Sequence, residues 1–202
     1  MIRWLDFLFP PRVDEIALRD ISQDDFLSMV SPRLAPDTKP GTIVLLPFND
    51  TRVRVAVHEA KYHGSEYAFK LFALALAEYL RDADDELRKP IIVPVPLGRE
   101  RRKERGFNQV EEIAKRTAKE LGIEVYSDLL VRVRETSSQV SLPREKREEN
   151  MRGAFKSTRG ADPSHTYILI DDVITTGATL QAAIDALKEA GAEHVVPLAL
   201  AH

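Results

Sequence analysis

Cysteine is absent from the 202-residue sequence, and its absence excludes disulfide bonds, thiolate zinc sites and cysteine nucleophiles. Long apolar runs are absent too, since nothing approaches the roughly 18 consecutive apolar residues that span a bilayer. Neither charge sign is in large excess, because 29 Lys and Arg residues face 32 Asp and Glu residues. Any binding of nucleic acid therefore needs a local basic patch. With no span and no thiol chemistry, a cytoplasmic location is the default expectation.

What is present is the composition of a globular domain, with 44% apolar and 30% charged residues. The length accommodates one domain, or one domain with a small appendage. The spacing of the five histidines is not typical of a metal site, so we expect them at surfaces and loop ends: His58, His63, His165, His194 and His202.

Proline and glycine divide the chain near residue 40. Residues 1–40 contain the stretches FPPR and SPRLAPDTKPG, which interrupt regular structure. Between them, SQDDFLSMV has the pattern of a short capped helix. We predict a small N-terminal appendage over residues 1–40, outside the core, and a main domain over residues 41–202.

The main domain alternates apolar strands with amphipathic helices. The predicted strands cover residues 42–48, 91–97, 128–133, 167–170 and 194–200. Helices are predicted at residues 65–80 and 109–121 and after the fourth strand. The segment RVRVAVHEA, residues 52–60, fits both a strand and a helix, and helix is favoured because Asn49 and Asp50 can cap it. The alternation predicts an α/β fold with a mainly parallel sheet covered on both faces.

The stretch YILIDDVITTGATL, residues 167–180, lies where such sheets bind ligands, outside the carboxyl end of a buried strand. Its adjacent acids, Asp171 and Asp172, have three interpretations: a chain turn, a Walker B strand that binds Mg²⁺ beside a nucleotide, or a phosphate site formed with the following loop. The second interpretation needs a P-loop, and the sequence has no G-x-x-x-x-G-K-[ST]. The third is favoured, because two adjacent buried carboxylates repel each other unless a ligand uses them.

The loop after the two acids has the features of an anion cradle. Hydroxyls of Thr175, Thr176 and Thr179, together with backbone N–H groups and a helix N-terminus, suit a phosphate monoester. Gly177 allows close backbone approach, and Ala178 keeps the wall small. Acids that bind sugar hydroxyls next to a cradle for a terminal phosphate indicate a pentose phosphate.

The string ILIDDVITTGAT closely resembles the loop with which type I phosphoribosyltransferases bind phosphoribosyl pyrophosphate (PRPP). The stretches EAKYHG, PVPLGRERRKERGFNQVEEIAK and SSQVSLPREKREENMRGAF are similar, in the same order, to the ComF family, the competence-associated branch of these enzymes. The resemblance covers roughly residues 42–202. It implies a Rossmann-like parallel sheet that binds PRPP with Mg²⁺ and transfers phosphoribosyl to an unknown acceptor, releasing pyrophosphate.

The resemblance also implies roles for individual residues. The two acids would contact the ribose hydroxyls and hold Mg²⁺, directly or through water or PRPP: Asp171 and Asp172. The implied PRPP-binding residues are these acids with Val173, Thr175, Thr176, Gly177, Ala178 and Thr179. A pyrophosphate loop and a mobile lid would supply Arg99, Arg101, Arg102, Arg105, Gln139, Arg144 and Arg147. The two acids, Arg102 and Arg105 are the implied catalytic residues; a solvated basic run is the alternative for the arginines.

The N-terminal segment departs from the family pattern. ComF relatives commonly carry paired Cys-x-x-Cys motifs after an FPPRC-like start, whereas LFPPRVDEIALRD keeps the start without cysteine. No zinc is therefore expected. The alternative to an enzyme is a non-catalytic PRPP-fold protein that assists competence or single-stranded DNA processing, with DNA or a competence-machinery protein as its partner. Dimers are usual in this fold, so the resemblance also allows a homodimer.

Overall fold

The computed structural model describes residues 12–35, 38–83, 87–134 and 149–202. Its helices are α1 (Val13–Arg19), α2 (Gln23–Leu27), α3 (Thr51–His63), α4 (Glu66–Asp82), α5 (Arg99–Arg105), α6 (Gln109–Leu121) and α7 (Ala178–Glu189). Its strands are β1 (Arg33–Leu34), β2 (Ile43–Leu46), β3 (Pro90–Pro94), β4 (Glu124–Val125), β5 (Leu130–Arg132), β6 (Phe155–Ser157), β7 (Thr166–Val173) and β8 (His194–Ala201). Among these described helices, none combines the length and the apolar character that a membrane crossing requires.

Six strands form one sheet in the order β1-β2-β8-β7-β3-β4. β1 runs antiparallel to β2, and every other neighbouring pair in this sheet is parallel. The prediction of a mainly parallel sheet is therefore confirmed. β7 has an inner position, where Ile168 pairs with Ile92 of β3 and with Val196 of β8. The carboxyl ends of β2, β3, β7 and β8 meet at one edge of the sheet, so the loops after them lie close together.

Helices cover both faces of this sheet with apolar side chains. Ile168 and Ile170 of β7 pack into a core that includes residues of α3, α4 and α6. Tyr167 and Leu169 pack into a second core with α7. This alternation follows from the two-residue period of a strand. Burial on both sides holds β7 in place and fixes where its carboxyl end lies.

The ambiguous segment at residues 52–60 is helical, as predicted. Asp50 Oδ1 accepts a hydrogen bond of 2.8 Å from the backbone N–H of Arg52, and this contact caps the first turn of α3. Val53, Ala56 and Ala60 are buried along one face of the helix. The buried stripe decides for helix over strand, since it packs against the core at helical spacing.

The strand predicted at residues 128–133 does not join the parallel sheet. β5 pairs antiparallel with β6 in a separate two-stranded sheet. The edge position beside β3 is occupied by β4, and a turn closed by a hydrogen bond from Leu129 to Tyr126 then leads the chain away. Leu130 is buried, whereas Val131 and Val133 are exposed. Burial of one face only is typical of a strand outside a sheet covered on both sides.

The described part of the N-terminal segment packs into the core, so the expectation that it lies outside the core is wrong. Phe26 is fully buried, and its ring meets that of Phe72 edge-on with 5.3 Å between centroids. The Tyr67 hydroxyl donates a hydrogen bond of 2.6 Å to the carbonyl of Ile21. Leu18 is also buried. Each short helix buries too few residues for its periodicity to show in the sequence. The domain boundary at residue 40 stays a prediction.

Replacing Phe26 by Ala tests this packing. The substitution removes a buried ring from its contact with Phe72 and leaves a cavity, so the free energy of unfolding should fall by about 3–5 kcal/mol. Val13→Ala is the control in the same segment, because Val13 is 82% exposed. Urea denaturation measures both variants. A loss below about 1 kcal/mol for Phe26→Ala would contradict the assignment of this segment to the core.

Candidate active site

A cleft of about 320 Å³ opens at the carboxyl edge of the sheet. Residues from the ends of β3 and β7 and from neighbouring helices line it: Lys61, Val95, Pro96, Leu97, Arg101, Arg105, Gln109, Arg132, Asp171, Asp172, Val173, Thr175 and Thr179. A larger groove, about 520 Å³, lies on the surface of α4 and α6 and is mainly apolar. The smaller cleft is the better candidate, because acids, cations and hydroxyls converge in it at the strand ends.

Asp172 is held by side chains from two different helices. Lys61 of α3 places Nζ 3.1 Å from Asp172 Oδ2, and Gln109 of α6 donates a short hydrogen bond to the same oxygen. The backbone N–H of Val173 donates to Oδ1. The side chains of Lys61 and Asp172 are only 21% and 14% exposed, so this ion pair is largely shielded from solvent. The carboxylate therefore has a fixed orientation in the cleft.

Asp171 lies beside Asp172 and has a raised pKa. Desolvation and the neighbouring Asp172 carboxylate raise the pKa of Asp171 to about 7. A hydrogen bond of 2.8 Å from the backbone N–H of Asp172 opposes this rise, as do the charges of Lys61 and Arg101. Asp171 therefore gains or loses a proton near neutral pH. A cation or a hydroxyl donor that binds there favours the ionised form.

The loop between β7 and α7 has no room for a side chain at Gly177. This residue has a φ of +82°, and a Cβ there would lie 2.7 Å from the carbonyl oxygen of Lys39. Both the backbone angle and the space thus require glycine. The backbone N–H of Lys39 donates to the carbonyl of Thr176 at 3.2 Å, and that of Ala178 contacts Thr176 Oγ1 at 3.4 Å. These contacts set the shape of the loop.

The predicted loop residues divide into those that line the cleft and those that shape it. The cleft-lining residues are Asp171, Asp172, Val173, Thr175 and Thr179. The remaining three are buried behind them: Thr176, Gly177 and Ala178. α7 begins at Ala178, so the N–H groups of its first turn lie next to the loop. The cradle inferred from the sequence therefore has its parts in one place.

The basic segment after β3 is a helix, α5, and not the loop expected from the sequence. Arg101 and Arg105 line the cleft, and the Arg105 guanidinium lies 5.1 Å from the centroid of the Tyr62 ring. Arg102 instead pairs with Glu111 at 3.0 Å, and Arg99 does not contribute to the lining. Successive side chains on a helix are turned by about 100°, so the four arginines cannot all face one cleft.

The predicted lid residues lie outside the described residues: Gln139, Arg144 and Arg147. Besides Val95, Pro96 and Leu97, the structure adds three polar or charged residues to the cleft for which the sequence suggests no role in the site: Lys61, Gln109 and Arg132. Lys61 lies in EAKYHG and Gln109 in RGFNQ, two stretches that carry the family resemblance. The resemblance therefore marks both stretches but does not predict what these two side chains contact. Arg132 reaches the cleft from β5, whose pairing the sequence did not show.

Comparison with known proteins covers the same part of the chain. Residues 111–201, which include β7, the loop and α7, match the family model of the phosphoribosyl transferase domain. Competence protein F of Haemophilus influenzae is 30% identical over 146 residues, which are 70% of this chain and 64% of that protein. The DNA utilization protein YhgH of Salmonella typhi is 35% identical over 143 residues, 69% of this chain and 62% of that protein. Residues 111–201 therefore match a phosphoribosyl transferase domain, and the chain is similar to ComF-like proteins over about 70% of its length.

The chain spans somewhat less than two thirds of the length of these relatives. Among solved structures it is similar to adenine phosphoribosyltransferase from Leishmania tarentolae, with 16% identity and a TM-score of 0.45 over 83% of this chain and 79% of that one. The matched domain begins within α6, so it includes the two acids and the loop. Lys61 and α5 lie before the matched domain, and the structure places Lys61, Arg101 and Arg105 in the same cleft as the two acids.

The raised pKa of Asp171 predicts how stability depends on pH. The carboxyl has an ordinary pKa of 3.8 when unfolded and about 7 when folded, so between these values the folded state binds more protons. The contribution of Asp171 to the free energy of unfolding therefore falls as pH rises from 3.8 to about 7. Asp171→Asn removes this titration. We expect the variant to have a free energy of unfolding about 1–2 kcal/mol higher than that of the wild type above pH ~7, and this difference should shrink toward pH ~4. The difference is small because Asp171 is partly exposed to solvent.

Urea denaturation across this pH range measures the effect. Asp185→Asn, on the exposed face of α7, is the control and should leave the pH dependence unchanged. A constant difference between Asp171→Asn and the wild type at every pH would show that Asp171 has an ordinary pKa in the folded protein.

Proposed function

We propose that this protein binds PRPP with Mg²⁺ and transfers its phosphoribosyl group to an acceptor, with release of pyrophosphate. One arrangement carries the proposal: two carboxylates at the end of β7 precede a loop that opens into α7, and α5 presents arginines to the same cleft. Carboxylates suit sugar hydroxyls, the loop suits a terminal phosphate, and the arginines suit a pyrophosphate.

The two carboxylates suit the ribose hydroxyls. Asp172 is already oriented by Lys61 and Gln109, so a hydroxyl that donates to it needs little reorganisation of the protein. Asp171, whose pKa is near neutral, would be ionised by a hydroxyl donor or a cation bound beside it. Together the acids would fix the sugar ring in the cleft and orient its C1 atom toward the acceptor.

The loop suits the 5′-phosphate of PRPP. Thr175 and Thr179 line the cleft with hydroxyl groups, and Gly177, packed against the Lys39 peptide, sets the backbone path between them. α7 has 12 residues, so the N–H groups of its first turn carry a useful partial positive charge. Phosphate oxygens would accept hydrogen bonds from these N–H and hydroxyl groups. The cradle thus binds an anion without a Lys or Arg side chain.

Arg101, Arg105 and Arg132 border the same cleft and suit the pyrophosphate group. In the transfer, the bond from C1 to the pyrophosphate oxygen breaks with its electron pair on that oxygen, and a lone pair of the acceptor forms the new bond. Guanidinium groups would stabilise the negative charge that develops on the leaving oxygen. Mg²⁺, when bound, neutralises part of this charge. Asp171 and Asp172 offer the oxygen donors that Mg²⁺ prefers, so the residues fit the ion.

A non-catalytic role with nucleic acid is the second candidate. Two relatives are named a competence protein and a DNA utilization protein. The basic rim formed by Arg101, Arg105 and Arg132 also suits the phosphates of a single strand. Under this second candidate function, the protein binds PRPP or single-stranded nucleic acid and catalyses no reaction. With a net charge of -3 the protein as a whole does not attract a polyanion, so such binding needs a local basic patch, and this rim is one.

Calorimetric titration with PRPP in the presence of Mg²⁺ tests the binding proposal. We expect binding by the wild type and at least about tenfold weaker binding by Asp171→Asn/Asp172→Asn, because the ribose hydroxyls lose both ionised acceptors. Asp185→Asn, on the exposed face of α7, should bind like the wild type. No binding by the wild type, or unchanged affinity of the double variant, contradicts the proposal.

Turnover separates the two candidate functions. Phosphorus NMR of the wild type with PRPP, Mg²⁺ and a panel of acceptors reports any pyrophosphate released. Release that depends on an acceptor supports the transferase. PRPP binding without release, combined with salt-dependent binding of single-stranded DNA that Arg101→Ala/Arg105→Ala weakens, supports the non-catalytic role.

A further inference from the structure

Three side chains at the end of α3 bring metal-binding atoms together outside the candidate active site. His58, Glu59 and His63 each place one donor atom within 4.8 Å of the donor atoms of the other two. Glu59 and His63 lie one helical turn apart on the same face, with 3.8 Å between Oε1 and Nε2. The expectation that the histidines form no ligand set therefore needs revision for these two, which the helix end brings together.

Arg12 orients the Glu59 carboxylate, and its shorter contact is with one of the two oxygens. Glu59 is 1% exposed, and Arg12 Nη2 lies 2.8 Å from Oε2. The other oxygen, Oε1, lies 3.8 Å from His63 Nε2 and accepts a longer hydrogen bond of 3.4 Å from Arg12 Nε. Because the contact of Arg12 with Oε2 is the shorter one, Arg12 can keep it while Oε1 binds a cation. Metal-binding carboxylates typically have such a hydrogen-bonded second oxygen.

His58 has an orienting partner as well. Asp14 Oδ2 lies 3.0 Å from His58 Nδ1. A hydrogen bond from Nδ1–H to this carboxylate leaves Nε2 as the metal donor, as in sites where a carboxylate fixes the tautomer of a histidine ligand. Arg12 directly precedes α1 and Asp14 lies in its first turn, so both outer contacts come from the start of one helix.

One of the three donor distances is close to that of a bound ligand pair, and the other two are within 4.8 Å. In a tetrahedral zinc site with bonds of about 2.1 Å, neighbouring donor atoms lie about 3.4 Å apart. The separation of 3.8 Å between Glu59 and His63 needs little closing. The His58 side chain is 47% exposed, so its ring has room to turn toward the other two.

We propose that His58, Glu59 and His63 bind one first-row divalent metal ion of the zinc type. Two imidazoles and a carboxylate suit Zn²⁺ or Co²⁺, whereas Mg²⁺ prefers oxygen ligands alone. The ion pair with Arg12 is enough to explain why the Glu59 carboxylate is buried. The two imidazoles beside this carboxylate are what indicates a metal site. Three protein ligands leave a coordination position for water.

All three ligands lie on α3, so the ion would stabilise the part of this helix that carries Lys61, the partner of Asp172. Arg12 and Asp14, at the start of α1, would contact the ligands and not the ion. The ion would not enter the cleft, whose lining includes none of the three ligands. The proposed zinc site is therefore independent of the proposed PRPP site, and zinc binding can be measured whether or not the protein binds PRPP.

Zinc titration of tag-free, chelator-treated protein, followed by calorimetry, tests the site. We expect one Zn²⁺ per chain, and His58→Gln and His63→Gln should each weaken binding at least about tenfold. The visible absorption of the Co²⁺ complex reports imidazole coordination independently, and its intensity should fall in both variants. Circular dichroism verifies that each variant is folded; His58 is exposed, so its replacement leaves the core intact.

His165 supplies the matched control. Its Nδ1 also lies near a carboxylate, 3.4 Å from Asp162 Oδ2, yet within the described ranges it belongs to no cluster of three ligands. His165→Gln should bind Zn²⁺ like the wild type. The proposal is overturned if the wild type binds no stoichiometric Zn²⁺, if His58→Gln and His63→Gln bind like the wild type, or if all three variants lose affinity equally. Displacement of Zn²⁺ by about a hundredfold excess of Mg²⁺ would also overturn it.

Discussion

Parallel pairing of β7 between β3 and β8 is the constraint on which the candidate site depends. Apolar side chains bury both faces of β7, so the strand has one register and its carboxyl end has one position. Asp171 and Asp172 then lie at the edge of the sheet beside the end of β3. The same burial desolvates Asp171 and raises its pKa. The packing that stabilises the sheet thus also sets the chemistry of the acid pair.

The N-terminal segment supports the site and does not lie apart from it. The peptide of Lys39 packs against Gly177 and leaves no space for a side chain at that glycine. Residues before the main domain therefore shape the loop that follows β7. Phe26 and its contact with Phe72 anchor the same segment to α4. Without cysteine, this chain holds its N-terminal segment by apolar packing and ion pairs, such as that of Arg12 with Glu59.

Local patterns predicted several elements and the central motif, because their causes are local. The periodicity of residues 109–121 and the cap at Asn108 are both found, with Asn108 Oδ1 accepting from the N–H of Val110 at 3.1 Å. The string from Ile168 to Thr179 likewise forms a strand, a tight loop and a helix start. A local pattern suffices where each residue's role depends on its near neighbours.

Long-range pairings could not be predicted in this way. Lys61 and Asp172 are 111 positions apart in the sequence and form an ion pair because α3 ends over the carboxyl edge of the sheet. The spacing of residues in the sequence does not predict this contact. β5 leaves the parallel sheet because β4 occupies the edge first. α5 directs Arg102 to Glu111 and away from the cleft, which follows from helical geometry and not from the count of basic residues.

A crystal structure of the protein with PRPP and Mg²⁺ tests the central claim most directly. The account predicts the 5′-phosphate on the loop between β7 and α7, within hydrogen-bond distance of Thr175 or Thr179 and the N–H groups of the first turn of α7. It also predicts the ribose hydroxyls on Asp171 and Asp172. PRPP bound elsewhere, or in this cleft with its ribose hydroxyls away from both acids, would contradict the account.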